Sequence, residues 1–386
     1  MDMEEEFPLT KNLLYFNTAV MGCLPASTIK AIEEYAGGLA AFLRGDTGWD
    51  GTLGGLEDRK PGSKKVFAEV IGASEDEVAC VPNCTTGMNT IVNMLPVKRG
   101  DNVVTTDLAF PMGAVVVDSQ RRRGAETRFI KGRKGIVETA DFEKTVDDDT
   151  AIVYIDHAGW FNGLLFDLKA ISEIAHDHGA YLVVDATQSF GTLEWDIDRS
   201  GVDAAATSTY KWLMGGIWSI STGFMYVNKE LIDKYPPAYV SGSTMEKNQI
   251  SDSPEGYTQY EFKPRTGIRR FEIFRGPDIS YAAVENSMKV LLKLGLAKVE
   301  KRIKKLDTLL VDGLLESGFE LQTPVEEERR IFVNVKHETP GDVVKELAKD
   351  GIIVSSRIGG VRISPHYYNK EEEVETFLER FREAAK

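Results

Sequence analysis

One lysine stands in an otherwise apolar, glycine-punctuated stretch, TSTYKWLMGGIW, running from Thr207 to Trp218. An ammonium buried without a partner is costly, and the cost shows as a depressed pKa that leaves an amine able to attack a carbonyl. On the lysine alone, a side chain reaching out to solvent is the better account of the pattern, and the rest of the chain must shift it. A second segment, YLVVDATQSFG, ends a hydrophobic run in Asp185, where an ionised carboxylate needs a positive partner. Gln188 follows three residues later with a donor and an acceptor, a turn or cap role being the plainer alternative. A third segment, NCTTGMN, sets Thr85 and Thr86 at a helix start, where free N–H groups and the helix dipole can receive a phosphate. Capping of that helix by either threonine explains the same residues. Neither a Walker lysine nor a G-x-G-x-x-G run is present, so a nucleoside triphosphate or dinucleotide gains no support.

A carbonyl-attacking amine, an acid on the adjacent strand end and a phosphate cup are together what pyridoxal phosphate requires. Lys211 would hold its aldehyde as a Schiff base. Asp185 would pair with the ring N–H and keep the ring electron-withdrawing. Gln188 would reach the phenolic oxygen, and Thr85, Thr86, Ser208 and Tyr210 would bind the phosphate. Phe110, in DLAFP, is placed to cover the open ring face, with core packing as its alternative role.

These residues need strands that end side by side. From about Glu77 the chain alternates β-branched runs with helical patterns: EVACVP, DNVVTTD, TAIVYID, AYLVVDA, VDAAATST and GFMYVN as strands, with TGMNTIVNMLP, MGAVVVDSQRRRG and DLKAISEIAHDHG as helices. Such alternation predicts an α/β fold with a mostly parallel sheet, whose ligands gather beyond the carboxyl ends of the strands. Past Pro277 nearly forty residues read as continuous helix, followed by a β, α, β, β, α series that predicts a smaller α+β domain. The glycine-rich DTGWDGTLGG, around Trp49, reads as a loop.

VVDATQSFG, STYKWLMGG, CTTGMN and GVRISPHYYNKEEEVE resemble the class V aminotransferase family of fold-type I pyridoxal-phosphate enzymes. That family includes cysteine desulfurases, selenocysteine lyases, isopenicillin N epimerase and kynureninase. The resemblance implies a seven-stranded large domain over 21–276, an N-terminal arm over 1–20 packed on the small domain, and a small domain over 277–386 opening with a long helix. It implies a homodimer, and a carboxylate-binding arginine at Arg362, with Arg357 as second candidate. Asn17, His157 and the Trp49 loop are then expected to line the substrate pocket. Aminotransferase activity on a small amino acid is the first expectation; a β-eliminating C–S or C–Se lyase or an epimerase is the second, and a scaffold without cofactor the remotest.

Two departures bear on this. No cysteine follows Cys84, which disfavours persulfide formation on an enzyme thiol, and Cys23 is expected to pack in the core. Where relatives carry a Gly-Thr-Pro threonine that crosses the dimer, this chain has Gly276, with Arg275 as a replacement contact. A net charge of −14 over 386 residues argues against nucleic-acid and anionic-membrane partners. Three cysteines and five scattered histidines predict no disulfide framework or metal site. The acidic N-terminus MDMEEEFPLT is no secretory signal, and the expected setting is cytoplasmic.

Overall fold

The computed structural model describes residues 3–46, 59–246, 263–274, 276 and 278–386. The Trp49 loop and Arg275 lie outside the described residues. Twelve strands are described: β1 (Leu14–Tyr15), β2 (Val78–Val81), β3 (Asn102–Thr106), β4 (Glu126–Ile130), β5 (Thr150–Asp156), β6 (Tyr181–Asp185), β7 (Ala204–Ser208), β8 (Gly223–Val227), β9 (Val333–Lys336), β10 (Ile352–Ile353), β11 (Ser355–Arg357) and β12 (Gly360–Ile363).

Seven of them form the main sheet in the order β2-β8-β7-β6-β5-β3-β4. All neighbours are parallel except β8, which is antiparallel to both β2 and β7. The central strands β6 and β7 are buried on both faces, as an α/β sheet covered by crossover helices requires. Side-chain alternation then splits the core in two. Val153, Ile155, Leu182 and Val184 face one apolar cluster, while Ile152, Tyr154, Val183 and Ala204 face the other.

β9, β11 and β12 make a second, antiparallel sheet in the order β11-β12-β9. One face carries Val333, Val335, Val361 and Ile363 against the helices Leu296–Glu316, Pro340–Lys349 and Glu371–Ala384. The helical stretch expected to be continuous past Pro277 is two helices, Asp278–Leu294 and Leu296–Glu316. Gly295 separates them with φ +87°, a left-handed conformation that ends the first helix.

The N-terminal segment joins the two sheets. β1 pairs in parallel with β10, and the Phe7 ring packs edge-on against Tyr367 and tilted against Tyr368. Farther along, Ala19 N–H donates to Ser364 Oγ at 3.0 Å, and Gly22 N–H donates to the Tyr210 carbonyl at 2.9 Å. A Cβ on Gly22 would stand 2.1 Å from the Lys211 carbonyl oxygen, so only glycine permits this approach.

Candidate active site

Lys211 sits on a tight loop just beyond β7. Met214 N–H closes on the Lys211 carbonyl at 3.0 Å and Gly215 N–H on the Thr209 carbonyl at 2.8 Å. The Lys211 ammonium lies 5.8 Å from the Phe110 ring centre and 5.9 Å from that of Tyr210. Among the described residues it makes no hydrogen bond or ion pair. Burial, then the charge of Arg362, push its pKa down to about 8, with Asp185 and Asp156 pulling the other way.

The amine opens on a small cavity at the carboxyl ends of the strands. Thr85, Phe110, Asp185, Gln188, Ser208 and Tyr210 all line it. Asp185, at the end of β6, accepts from Thr187 N–H at 2.8 Å. Gln188 is held at both ends of its amide: Nε2 donates to the Ala19 carbonyl at 3.1 Å, and Oε1 accepts from Trp212 Nε1 at 2.8 Å. One N–H of that amide remains for a ligand.

The helix Cys84–Met94 points its N-terminus at the same cavity. Its cap is Asn83, not either threonine: Asn83 Oδ1 accepts from Thr86 N–H at 2.9 Å and from Thr86 Oγ1 at 3.2 Å. Thr86 is thereby occupied by the cap and does not line the cavity, against its expected place at a phosphate. Ser208 Oγ accepts from Cys84 N–H at 3.1 Å. Thr85 is exposed, and its N–H and hydroxyl have no protein partner among the described residues, which leaves them for an anion.

Sequence reasoning passed over Asp156, Trp160 and Cys84, all of which line the cavity. Asp156 ends β5 directly opposite Asp185 in the strand register. It accepts from Phe110 N–H at 2.6 Å and from the Tyr154 hydroxyl at 3.2 Å. Burial and the neighbouring Asp185 charge hold its carboxyl well above the usual range. The signal was available in TAIVYID, another apolar run closing on an acid. Cys84 is buried, and burial raises its thiol well above the ordinary value, so it is no nucleophile.

Arg362, on β12, is 1% exposed. One nitrogen donates to the Trp160 carbonyl; Nε and Nη2 are buried with no partner among the described residues. No carboxylate faces it among the described residues, and burial followed by the Arg357 charge lowers it to about 9. Arg357 is half-buried and donates to the Ser356 carbonyl at 2.7 Å. Asn17 bridges to Ser364, two residues past Arg362, and its Oδ1 is buried and unpartnered.

Asn17, Arg357 and Arg362 are not among the side chains that line the cavity, and nor is His157. It follows Asp156, and alternation along the strand turns it to the opposite face, where its ring packs edge-on against Trp195 at 4.7 Å. Burial there lowers it to about 3. Cys23 is buried away from the cavity, as expected for a core thiol. No cluster that could hold a metal ion is present among the described residues.

The aminotransferase class-V family model matches residues 24–377. The chain belongs to that family, whose members are fold-type I pyridoxal-phosphate enzymes. It is 29% identical to a probable cysteine desulfurase of Pyrococcus abyssi, across 98% of this chain and 95% of that protein. It is 27% identical to an uncharacterized aminotransferase, YcbU, of Bacillus subtilis, across 95% and 93%. The apo cysteine desulfurase of Thermococcus onnurineus NA1 superposes with a TM-score of 0.86 at 26% identity, covering 100% of this chain and 97% of that one. The residues present fit the family's cofactor: an amine depressed toward neutrality, a strand-end carboxylate, an aromatic ring over the amine, and a helix N-terminus with an unpaired N–H.

Proposed function

We propose that the protein is a pyridoxal-phosphate enzyme acting at the α-carbon of a small amino acid, with transamination as its net reaction. The observation that carries this reading is the guanidinium of Arg362. Two of its nitrogens are buried and unpaired, and it lies near enough to Lys211 to depress that ammonium. A buried cation without a counter-ion is retained at a cost, and a carboxylate is the group its planar fork matches best.

Bound here, the cofactor supplies an electron sink for the charge that develops at the α-carbon. The chain's own residues do the rest. Arg362 fixes the substrate carboxylate and so orients the Cα–H bond. Lys211 removes the proton; with a pKa of about 8, about one amine in ten is neutral at pH 7, against fewer than one in ~1,000 for an ordinary lysine. Asp185 would pair with the ring nitrogen, Phe110 would cover the ring, and Thr85 with Ser208 would receive the phosphate. Three unpaired thiols accord with a reducing, cytoplasmic setting, and family likeness supports a homodimer.

A second reading is β-elimination from a sulfur-bearing amino acid, favoured by the relatives named as cysteine desulfurases. Here sulfur would leave without an enzyme thiol. The β11–β12 turn is only Ile358 and Gly359, both with positive φ, and no cysteine follows Cys84 in sequence.

Borohydride should fix the cofactor to the wild type and not to Lys211→Ala; equal trapping in both excludes Lys211 as the holding amine. Amino acids supplied singly then divide the readings. Transamination halts after one half-reaction until an oxoacid is added. Continuous sulfide or pyruvate release identifies a lyase, and loss of optical purity alone an epimerase.

A further inference from the structure

The polar face of the small sheet is built for more than one carboxylate. Side chains directly opposite in an antiparallel pair share a face, and Arg362 is opposite Ser355 on one side and Asn334 on the other. Arg357, opposite Gly360, belongs to the same face and is the diagonal neighbour of Arg362. This face therefore presents Asn334, Ser355, Arg357 and Arg362 together, while the apolar residues between them point to the helices behind.

Its bonding is conspicuously incomplete. Among the described residues, Ser355 Oγ and Nε and Nη2 of Arg362 are buried without partners, while Asn334 Oδ1 and, on the adjoining segment, Asn17 Oδ1 are buried acceptors without a donor. Buried polar atoms in folded proteins are nearly always paired, so three unanswered donor groups on one face call for an acceptor. Charge gives a second imbalance. Neither Arg357 nor Arg362 meets a carboxylate among the described residues; burial lowers the pKa of both, and the Arg357 charge adds to the lowering at Arg362. One α-carboxylate satisfies one fork and leaves the other cation and Ser355 unanswered.

We propose that the substrate is a dicarboxylate: an α-amino acid, or the corresponding oxoacid, whose second carboxylate is bound by Arg357 and the Ser355 hydroxyl while Arg362 holds the first. This rests on the functional reading above and names its substrate class. Trp160 ties the subsite to the reaction centre, since its carbonyl anchors Arg362 and its ring stands edge-on to Phe110 at 5.6 Å. Both arginines descend from one hairpin with a two-residue turn, so their spacing is fixed by strand register rather than by loop position.

The test is calorimetric titration of the protein, with and without pyridoxal phosphate, using succinate and glutarate against propionate and butyrate. Half-reaction rates with aspartate and glutamate against asparagine and glutamine accompany it. Dicarboxylates should bind at least about tenfold more tightly than monocarboxylates. Arg357→Gln should abolish that ratio, Arg357→Lys should restore part of it, and Arg362→Gln should weaken both classes. Equal affinity for the two classes, or an equal fall for both in Arg357→Gln, overturns the second subsite and leaves the parent reading standing. Absence of binding by either class, together with no borohydride trapping at Lys211, overturns both.

Discussion

Replacing Arg362 by methionine should make the protein more stable and useless for its purpose. The side chain is 1% exposed, it has one hydrogen bond, to the Trp160 carbonyl, and two donors without partners. Losing the one charged bond costs about 1.5–3 kcal/mol, while each unsatisfied donor removed returns about 1–3 kcal/mol. Removing a buried charge that lacks a counter-ion adds several kcal/mol of relieved desolvation in principle, and methionine fills much of the stem's volume. A net gain of about 1–3 kcal/mol is expected, near the range seen when buried ionic groups are replaced by apolar ones. With unfolding entropy of about 2.1 cal/mol/K per residue, a 386-residue chain would rise by about 1–4 °C in Tm.

Part of that gain should depend on pH. Lys211 is depressed in the folded protein to about 8 from 10.5, and Arg362 is the second cause. The penalty on the folded state is therefore full below about pH 8 and fades as pH approaches the unfolded value. Without the guanidinium, the Lys211 pKa moves up, so the gain in Tm should be greater at pH 7 than above pH 10. Scanning calorimetry of the cofactor-free protein measures the first effect, and the pH profile of pyridoxal-phosphate capture the second. A Tm lower by more than about 3 °C at pH 7 would show that Arg362 supports the fold, and the argument from its unpaired nitrogens would collapse.

Two further substitutions separate neighbouring residues. Asp156→Asn should leave the stability within about 1 kcal/mol of wild type, because burial and the Asp185 charge push the carboxyl it replaces up toward its neutral form; Asp185→Asn should cost turnover while leaving borohydride trapping intact, and a large loss of stability in the first variant would show that the fold needs the Asp156 carboxyl itself. Gly22→Ala should impair cofactor capture, since its Cβ would stand 2.1 Å from the Lys211 carbonyl; unchanged capture kinetics would show that this approach does not position the lysine.

The reactive centre was legible where a buried strand ends in a polar residue, because an apolar run closing on Asp185, or leading into Lys211, has few structural excuses. The same logic applied to TAIVYID would have supplied Asp156 and, by alternation, removed His157 from the pocket. Helix capping was misjudged because Asn83 precedes two threonines that cap nearly as well, and only geometry decides among them. β4, Glu126–Ile130, and the helices Ala26–Arg44 and Lys60–Ile71 left weaker marks than the other parallel strands. β1–β10 pairing joins distant parts of the chain, and no local pattern specifies it.

The stitching of residues 17–22 has a consequence for molecular selection. That short run is hydrogen-bonded through its peptide groups to Ser364 on one side and to Tyr210 on the other. It works as a ruler: main-chain geometry sets the gap between Arg362 and Lys211, which on the proposed function would hold the carboxylate and the reacting end of a substrate. Homologous compounds one methylene longer or shorter should therefore be discriminated by fit at the far end, with little room for side chains to compensate.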